Sequence, residues 1–420
     1  MLINEDLLWN KALGLMPKGT QTLSKCPDQF VDGVYPKFAH RAEGAYIEAL
    51  NGEKYLDFMC GLGPIILGFN DKDVNQAIVE QLKRGTIFSL PTTLEIELAE
   101  LIVETVPSAE MVRFAKNGTD VCTAAVRIAR SYTGREHIIK CGYHGWSDWH
   151  GITMQPFGMP KCLKEYVHEF EYNNLHSLEK LLQKHEAAAI IMEAEALTAP
   201  EPGFLEGVRE LATKYGALLI FDEVVTGYRW SIGGAQKHYG VTPDLTCLGK
   251  AIANGLPISV ITGKKEYMTE LNDVFFSMTF GGECLSIAAA IATIKKLKTK
   301  DYKYLWDLNK IFCEGIESAA KRHKLKINLL GSSLRHNFYF DECYEDSNGM
   351  KDLFYQEMVK RGILFSKQLY IQFSHTKEDM LKVVKAADES FEIVAKHKDN
   401  IDDILEGKRS KEVFLKIRVE

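Results

Sequence analysis

The stretch Leu218-Leu-Ile-Phe-Asp222-Glu-Val-Val-Thr-Gly227, followed by Leu245-Thr-Cys-Leu-Gly-Lys250, decides how this chain folds. Each opens as a near-continuous apolar run of strand length and stops at charge, two acids in the first and a lysine in the second. Apolar runs without alternation suit strands covered on both faces, so both are expected in the buried middle of an α/β sheet. Open sheets of that kind bind ligands outside the carboxyl ends of their strands, which is where Asp222 and Lys250 fall.

Outward from these runs, Met111–Ala115, Ile138–Cys141, Ala188–Glu193 and Ile258–Thr262 read as further strands alternating with helical patterns. Val121, Ala125, Ile128 and Tyr132 recur at helical spacing with Arg127 and Arg130 turned away, and Gly134 is placed to stop that helix. Beyond about residue 300, Lys-rich helical stretches surround the short runs Lys324–Leu330, Arg335–Phe340 and Tyr370–Phe373, and an amphipathic helix starts at Lys377. Nearer the start, Tyr46–Leu50 turns at Asn51-Gly52 into Tyr55–Phe58, a hairpin signal. The expected division has four parts: an N-terminal segment over 1–60 that joins the small domain, a large domain over 61–304 with a mostly parallel central sheet, a small α+β domain over 305–395, and a charged tail over 396–420 that closes on a Val413–Val419 alternation.

Composition narrows the function. With 420 residues, 46% hydrophobic and 26% charged, the chain can bury more than one ordinary globular core. Its net charge of −6 supplies no general attraction for nucleic acid or an anionic membrane. The nine cysteines are scattered, odd in number and without a Cys-x-x-Cys pair, so they read as reduced thiols. His144 and His150 have no third ligand near them in sequence, and no metal is expected. The opening Met1-Leu-Ile-Asn-Glu-Asp6 is acidic where a signal peptide is basic, and no apolar run approaches the ~20 residues of a membrane helix. A cytoplasmic enzyme is expected.

Five short stretches have chemical potential. Asp222 at a strand end needs a partner, whether a ligand, a helix start or water. Lys250 ends an apolar strand, where it is either a surface charge or a desolvated amine suited to Schiff-base chemistry. In Lys116-Asn117-Gly118-Thr119-Asp120 a strand gives way to a helix, whose free amides attract phosphate, although N-capping explains Asn117 and Thr119 equally well. Gly142-Tyr143-His144-Gly145-Trp146 is an aromatic loop that either stacks on a planar heterocycle or packs on its own domain. Arg229, after Thr226-Gly-Tyr, is an anion partner or a surface arginine. Gly61-Leu62-Gly63-Pro64 with Gly68 imitates a dinucleotide loop, but it follows a hairpin and has proline where a helix should open.

An anion loop, an aromatic loop, an acid-ended strand and a strand-end lysine are the parts of a pyridoxal phosphate (PLP) enzyme. From Pro17 to Phe391 the chain resembles the class III, fold type I aminotransferases, most closely their glutamate-1-semialdehyde aminomutase-like branch. The likeness runs through Arg41-Ala-Glu-Gly-Ala, Gly63-Pro-Ile-Ile-Leu-Gly68, Asn117-Gly-Thr, Tyr143-His-Gly145, Asp222-Glu-Val-Val-Thr-Gly227, Pro243-Asp-Leu and Gly249-Lys250. The resemblance implies Lys250 as the Schiff-base lysine and Asp222 as the carboxylate on the pyridine nitrogen, with Tyr143 and Val224 on the two ring faces. Gly118 and Thr119 match the phosphate loop, with Asn117 where the family more often has serine. Thr279 matches a threonine that reaches the neighbouring subunit's phosphate, implying a homodimer with shared sites.

Departures from the aminomutase pattern bear on substrate. Lys25 stands where the aminomutases have a carboxylate-binding arginine, and lysine is the weaker fork. Their C-terminal glutamate is absent from the shortened Ser366–Gln372 loop, Leu62 replaces a tryptophan, and Met192-Glu193-Ala194 replaces the usual Glu-Pro. Lys25, Glu193 and Arg335 are candidate substrate residues. The variant stretches resemble aminotransferases of surface-polysaccharide and modified-sugar pathways. The expected activity is transfer of an amino group from an amino-acid donor, glutamate by preference, to a carbonyl acceptor that is small and polar, sugar-like or phosphorylated. An intramolecular aminomutase and a non-catalytic PLP-fold scaffold are the alternatives.

Overall fold

The computed structural model describes residues 4–330 and 334–411, and the Val413–Val419 alternation lies outside them. The chain divides into two units, one built from the stretch up to Asp71 together with that from Lys303 onward, the other from Lys72–Tyr302. In the first unit β1 (Ala39–Glu43), β2 (Tyr46–Ala49) and β3 (Lys54–Asp57) form an antiparallel meander.

The second unit holds a sheet of seven strands: β4 (Met111–Ala115), β5 (His137–Cys141), β6 (Val167–Glu169), β7 (Ala187–Met192), β8 (Leu218–Glu223), β9 (Leu245–Leu248) and β10 (Ser259–Gly263). Their order is β4-β10-β9-β8-β7-β5-β6, and β10 alone among them runs antiparallel to its neighbours. Every residue of β7, β8, β9 and β10 is buried, as apolar runs covered on both faces should be. In β4 Arg113 is exposed, because β4 is an edge strand and only partly covered.

The helix Gly118–Thr133 crosses from β4 toward β5 over the face of β7, β9 and β10, burying Val121, Ala125 and Ile128. Gly134 ends it at φ 66°, its N–H bonded to the Arg130 carbonyl. Two expectations for this helix need correction. Tyr132 is 45% exposed and meets Tyr267 edge-on instead of joining the core, while Arg130 is half-buried with its Nε donating to the Glu136 carbonyl. At this last turn the helix faces the short helix Lys265–Met268, which carries Tyr267, so Tyr132 meets a ring at the surface.

The first unit is completed by β11 (Ile327–Leu330), β12 (Arg335–Phe340), β13 (Ile363–Leu364) and β14 (Gln368–Tyr370), with the long helix Lys377–His397. β13 adds to β3 in parallel, while β11, β12 and β14 make a separate antiparallel sheet. β11 starts later than expected because Lys324 turns the chain at φ 56°. The last strand ends at Tyr370 because the Phe373 N–H bonds to Ile66 instead of continuing the ladder. Gly61 to Gly68 forms tight turns, with Cys60 and Leu62 themselves at positive φ, and no helix opens there.

The end of β8 shows how the sheet fixes its acids. Successive strand residues face opposite sides, so Asp222 and Glu223 part company. Asp222 meets Cys122 of the helix Gly118–Thr133. Glu223, wholly buried, accepts from Thr226 Oγ1 (2.8 Å), the backbone N–H groups of Ala235 (2.5 Å) and Gln236 (3.0 Å), and Gln236 Nε2 (2.9 Å). Burial pushes its carboxyl pKa up and these donors pull it down, with burial the larger influence. Gly234 at φ 76° is required, since a Cβ there would lie 2.2 Å from Glu223 Oε2. Glu223 is thus a structural clamp. Glu223→Ala strands at least two buried amide donors, an expected loss of about 3 kcal/mol or more. In a thermal melt this should appear as a midpoint lower by roughly 5–10 °C, and an unchanged midpoint would refute the clamp.

Candidate active site

Five chain segments converge beyond the carboxyl ends of the parallel strands. Asp222, 5% exposed, accepts at Oδ2 from His144 Nδ1 (2.8 Å) and Cys122 Sγ (3.5 Å), and at Oδ1 from the Val224 N–H (3.1 Å). His144 Nε2 lies 3.0 Å from the Cys141 carbonyl, which only accepts, so that nitrogen holds a hydrogen. The contact between Nδ1 and Oδ2 then shares one further proton between ring and carboxylate. Three acceptor positions of the carboxylate are used, and one on Oδ1 remains for a ligand donor.

His144 in turn is held from behind. Its backbone N–H donates to His150 Nε2 (3.3 Å), which must therefore be unprotonated. Burial, with His144 and Lys140 adding repulsion, pushes the His150 pKa down to about 2 and keeps that ring neutral. Tyr143, half-exposed, sets its ring edge-on to His150 at 5.3 Å.

The start of the helix Gly118–Thr133 is closed by a reciprocal cap between Asn117 and Asp120. Thr119 Oγ1 is 2.8 Å from Ser147 Oγ and accepts from the N–H groups of Trp146 (3.2 Å) and Ser147 (3.3 Å), which ties this loop to the aromatic loop. Between them Gly145, at φ 105°, passes so close that a Cβ would sit 2.4 Å from Thr119 Cβ. Val224 is wedged between two glycines: a Cβ on Gly118 would lie 3.1 Å from its methyls, and one on Gly249 3.4 Å. The register pairs Asp222 with Cys247 and Glu223 with Leu248, so Lys250 emerges beside the acid-ended strand. Lys250 adopts φ 44° and begins a tight turn to Ala253, a left-handed backbone that a side-chain-bearing residue adopts at a cost.

Asn117, Gly118, Thr119, Tyr143, Asp222, Val224 and Lys250 are therefore gathered at one edge of the sheet. Glu193 lies at the same edge, buried just after β7, with its Oε1 facing Gly142. Thr279 is exposed in the turn before the helix Cys284–Lys298. Lys116, paired with Glu283 at 3.0 Å, fastens that turn to the end of β4. Lys25 and Arg335 belong to the other unit, the first exposed after a short turn, the second buried at the start of β12. Arg229 is wholly buried, which corrects the surface-arginine alternative. His144 is the functional residue that sequence reasoning missed as a partner of Asp222. The signal was present in the requirement that a strand-end acid be paired, but only the fold reveals which group meets it.

The residues present fit PLP. There is a strand-end carboxylate with a spare acceptor position, a glycine-floored helix start with free amides, and a lysine on a strained turn beside them. The family model for class-III aminotransferases matches residues 31–364. The chain is similar to the 3-aminobutyryl-CoA aminotransferase of Cloacimonas acidaminovorans, 36% identical over 405 residues covering 93% of this chain and 97% of that one. It is also similar to the glutamate-1-semialdehyde 2,1-aminomutase of Natranaerobius thermophilus, 34% identical with 92% and 97% covered. Among solved structures, the PLP internal aldimine form of the Sphingopyxis sp. MTA144 FumI protein superposes with a TM-score of 0.88 at 26% identity, over 95% of this chain and 99% of that one. An omega-transaminase from Sphaerobacter thermophilus gives 0.86 at 26% identity, over 93% and 97%. A sheet that collects these side chains at one edge, and a likeness spanning nearly the whole chain, lead to one conclusion: the protein belongs to the class III aminotransferases, fold type I enzymes that use pyridoxal phosphate.

Proposed function

We propose that the enzyme moves an amino group between two separate substrates, from an amino-acid donor, glutamate by preference, to the carbonyl of a small polar, sugar-like or phosphorylated acceptor. The observation that carries the chemistry is the buried Asp222–His144 pair with its one open acceptor position. When bound, PLP supplies an electron sink for the charge left as the substrate Cα–H bond breaks. Asp222 Oδ1 would hold the proton of the pyridine nitrogen, and His144, Cys122 and the Val224 amide keep that carboxylate oriented. Lys250 Nζ would anchor the cofactor and would carry the proton off and back onto the substrate carbon. Its strained backbone supports that role, because such strain persists where the surroundings impose it. Gly118 and Thr119 beside Asn117 would hold the cofactor's phosphate through their amides, and Tyr143 and Val224 would hold its ring.

Thr279 makes no hydrogen bond within the described chain and is flanked by exposed Phe275 and Phe280. This supports a homodimer in which Thr279 reaches the partner's phosphate and the apolar flanks are covered. No helix among the described residues is long and apolar enough to cross a membrane, in keeping with the proposed cytoplasmic location.

Transfer between separate substrates, rather than within one, is supported by Lys25 in place of an arginine and by the short Ser366–Gln372 loop. An aminomutase must retain one small amino-aldehyde through both half-reactions, and a bidentate arginine grip is worth about 1.5–3 kcal/mol as a charged hydrogen bond. Lys25, Glu193 and Arg335 are the proposed substrate contacts. Similarity to aminomutases supplies the competing reading, and one experiment separates the two: with glutamate-1-semialdehyde as sole substrate, no 5-aminolevulinate should accumulate. Formation at ~1 per second or faster would overturn the proposal.

Two variants test the assigned roles. Lys250→Ala should lose the borohydride-reducible attachment of cofactor to protein; persistence of that attachment assigns it to another lysine. Asp222→Asn keeps shape but removes the charge, and the half-reaction with donor should slow by roughly 10³-fold or more with cofactor still bound. Turnover within a few-fold of the parent would eliminate the carboxylate's role.

A further inference from the structure

At the opposite edge of the seven-stranded sheet, away from Asp222, three histidines meet that the chemistry above does not use. His137 opens β5, and His168 is the central residue of β6, opposite Ile139 in the parallel register. Because strand residues two apart share a face, His137, Ile139 and His168 lie on the same side. His185 follows the helix Leu175–Lys184 and precedes Ala187, the register partner of His137. The sheet's topology therefore carries three imidazoles from distant points of the sequence to one spot.

His168 Nε2 lies 3.1 Å from His137 Nδ1, and the His168 and His185 rings stack with centroids 3.7 Å apart. One ring nitrogen from each histidine falls within 4.8 Å of the others, all three half-buried. A tetrahedral metal with Zn–N bonds of ~2.0–2.1 Å sets its nitrogens roughly 3.4 Å apart, so two rings are already at that spacing and the third closes by a side-chain rotation. No carboxylate pairs with any of the three among the described residues. Burial and mutual repulsion push the His168 pKa down to about 4 and lower that of His185, so at neutral pH both rings offer lone pairs. The carbonyl end of the ten-residue helix Leu175–Lys184 points its partial negative charge toward the same place, which favours a cation.

We infer that His137, His168 and His185 form a three-histidine site for one borderline divalent transition metal, zinc, nickel or copper, with the fourth position left to water. All-imidazole ligation selects these ions over magnesium and calcium, which need oxygen ligands. A metal here would tie the short edge strand β6 to β5 and to the helix before β7, which gives it a structural role separate from the amino-group chemistry.

The test uses the PLP-loaded enzyme with Zn²⁺ alone, its free concentration set by a competing chromophoric chelator. One equivalent per chain should bind with a Kd of ~1 μM or tighter. His168→Gln and His185→Gln should each weaken binding by about 30-fold or more. His176→Gln, an exposed histidine on the neighbouring helix, should leave it unchanged. Unaltered cofactor absorbance checks that the variants fold. Independently of any variant, Cu²⁺ bound to the parent enzyme should display hyperfine coupling to three imidazole nitrogens. Absence of saturable binding, affinity unchanged in both variants, or a copper signal with fewer than three nitrogens would each overturn the site.

Discussion

A carboxylate cannot be taken out of water without partners, and much of the second unit is arranged around that constraint at Asp222. Its position at the end of a fully buried strand follows from the apolar run Leu218–Phe221. That run places the acid where only protein atoms can solvate it, so His144, Cys122 and the Val224 amide are drawn in from three segments. The aromatic loop thus acquires its course from the need to deliver an imidazole to this carboxylate, and His150 extends the same chain of dependence one residue outward. These partners fix the carboxylate and leave one acceptor position of Asp222 Oδ1 open.

The same economy of space governs the loop Asn117–Thr119 at the start of the helix Gly118–Thr133. Val224 crowds Gly118, where a Cβ would lie 3.1 Å from its methyls, so a side chain there would force Val224 or the helix start to give way. Gly145 plays the matching part where the aromatic loop crosses Thr119. Small residues here set the spacing between functional segments rather than providing flexibility. Glu223 anchors the reverse face of β8, so the two adjacent acids serve opposite purposes, one facing the site and one locking the scaffold.

The sheet is largely legible in the sequence because its central strands are buried on both faces and appear as near-continuous apolar runs. The legibility ends where burial is partial: β4 is an edge strand, and Tyr132, 45% exposed, meets Tyr267 of a short helix instead of the core. For Arg229 the sequence leaves two alternatives, anion partner or surface arginine, and burial removes the second because its surroundings are tertiary contacts that local sequence does not encode. Strand ends revealed Asp222 and Lys250, since charge terminating an apolar run is a local signal. The pairing with His144, and the gathering of His137, His168 and His185, depend on which strands become neighbours. No spacing rule along the chain conveys that.

The connectivity of the two units has a consequence for how the chain acquires its structure during synthesis. β4 finds its ladder partner only in β10, so the edge formed by Met111–Ala115 stays unpaired until the chain has been made past Gly263. The other unit waits longer still, because β3 near the start accepts β13, Ile363–Leu364, near the end. The second unit is drawn from one continuous stretch, Lys72–Tyr302, whereas the first unit combines the early strands with a segment made only after Lys303. Such long-range closures are slow and leave strand edges open to wrong pairings. The enzyme's yield in a cell should therefore depend on how well the early hairpin is shielded during elongation, a vulnerability that arises from topology and not from any weakness in the finished fold.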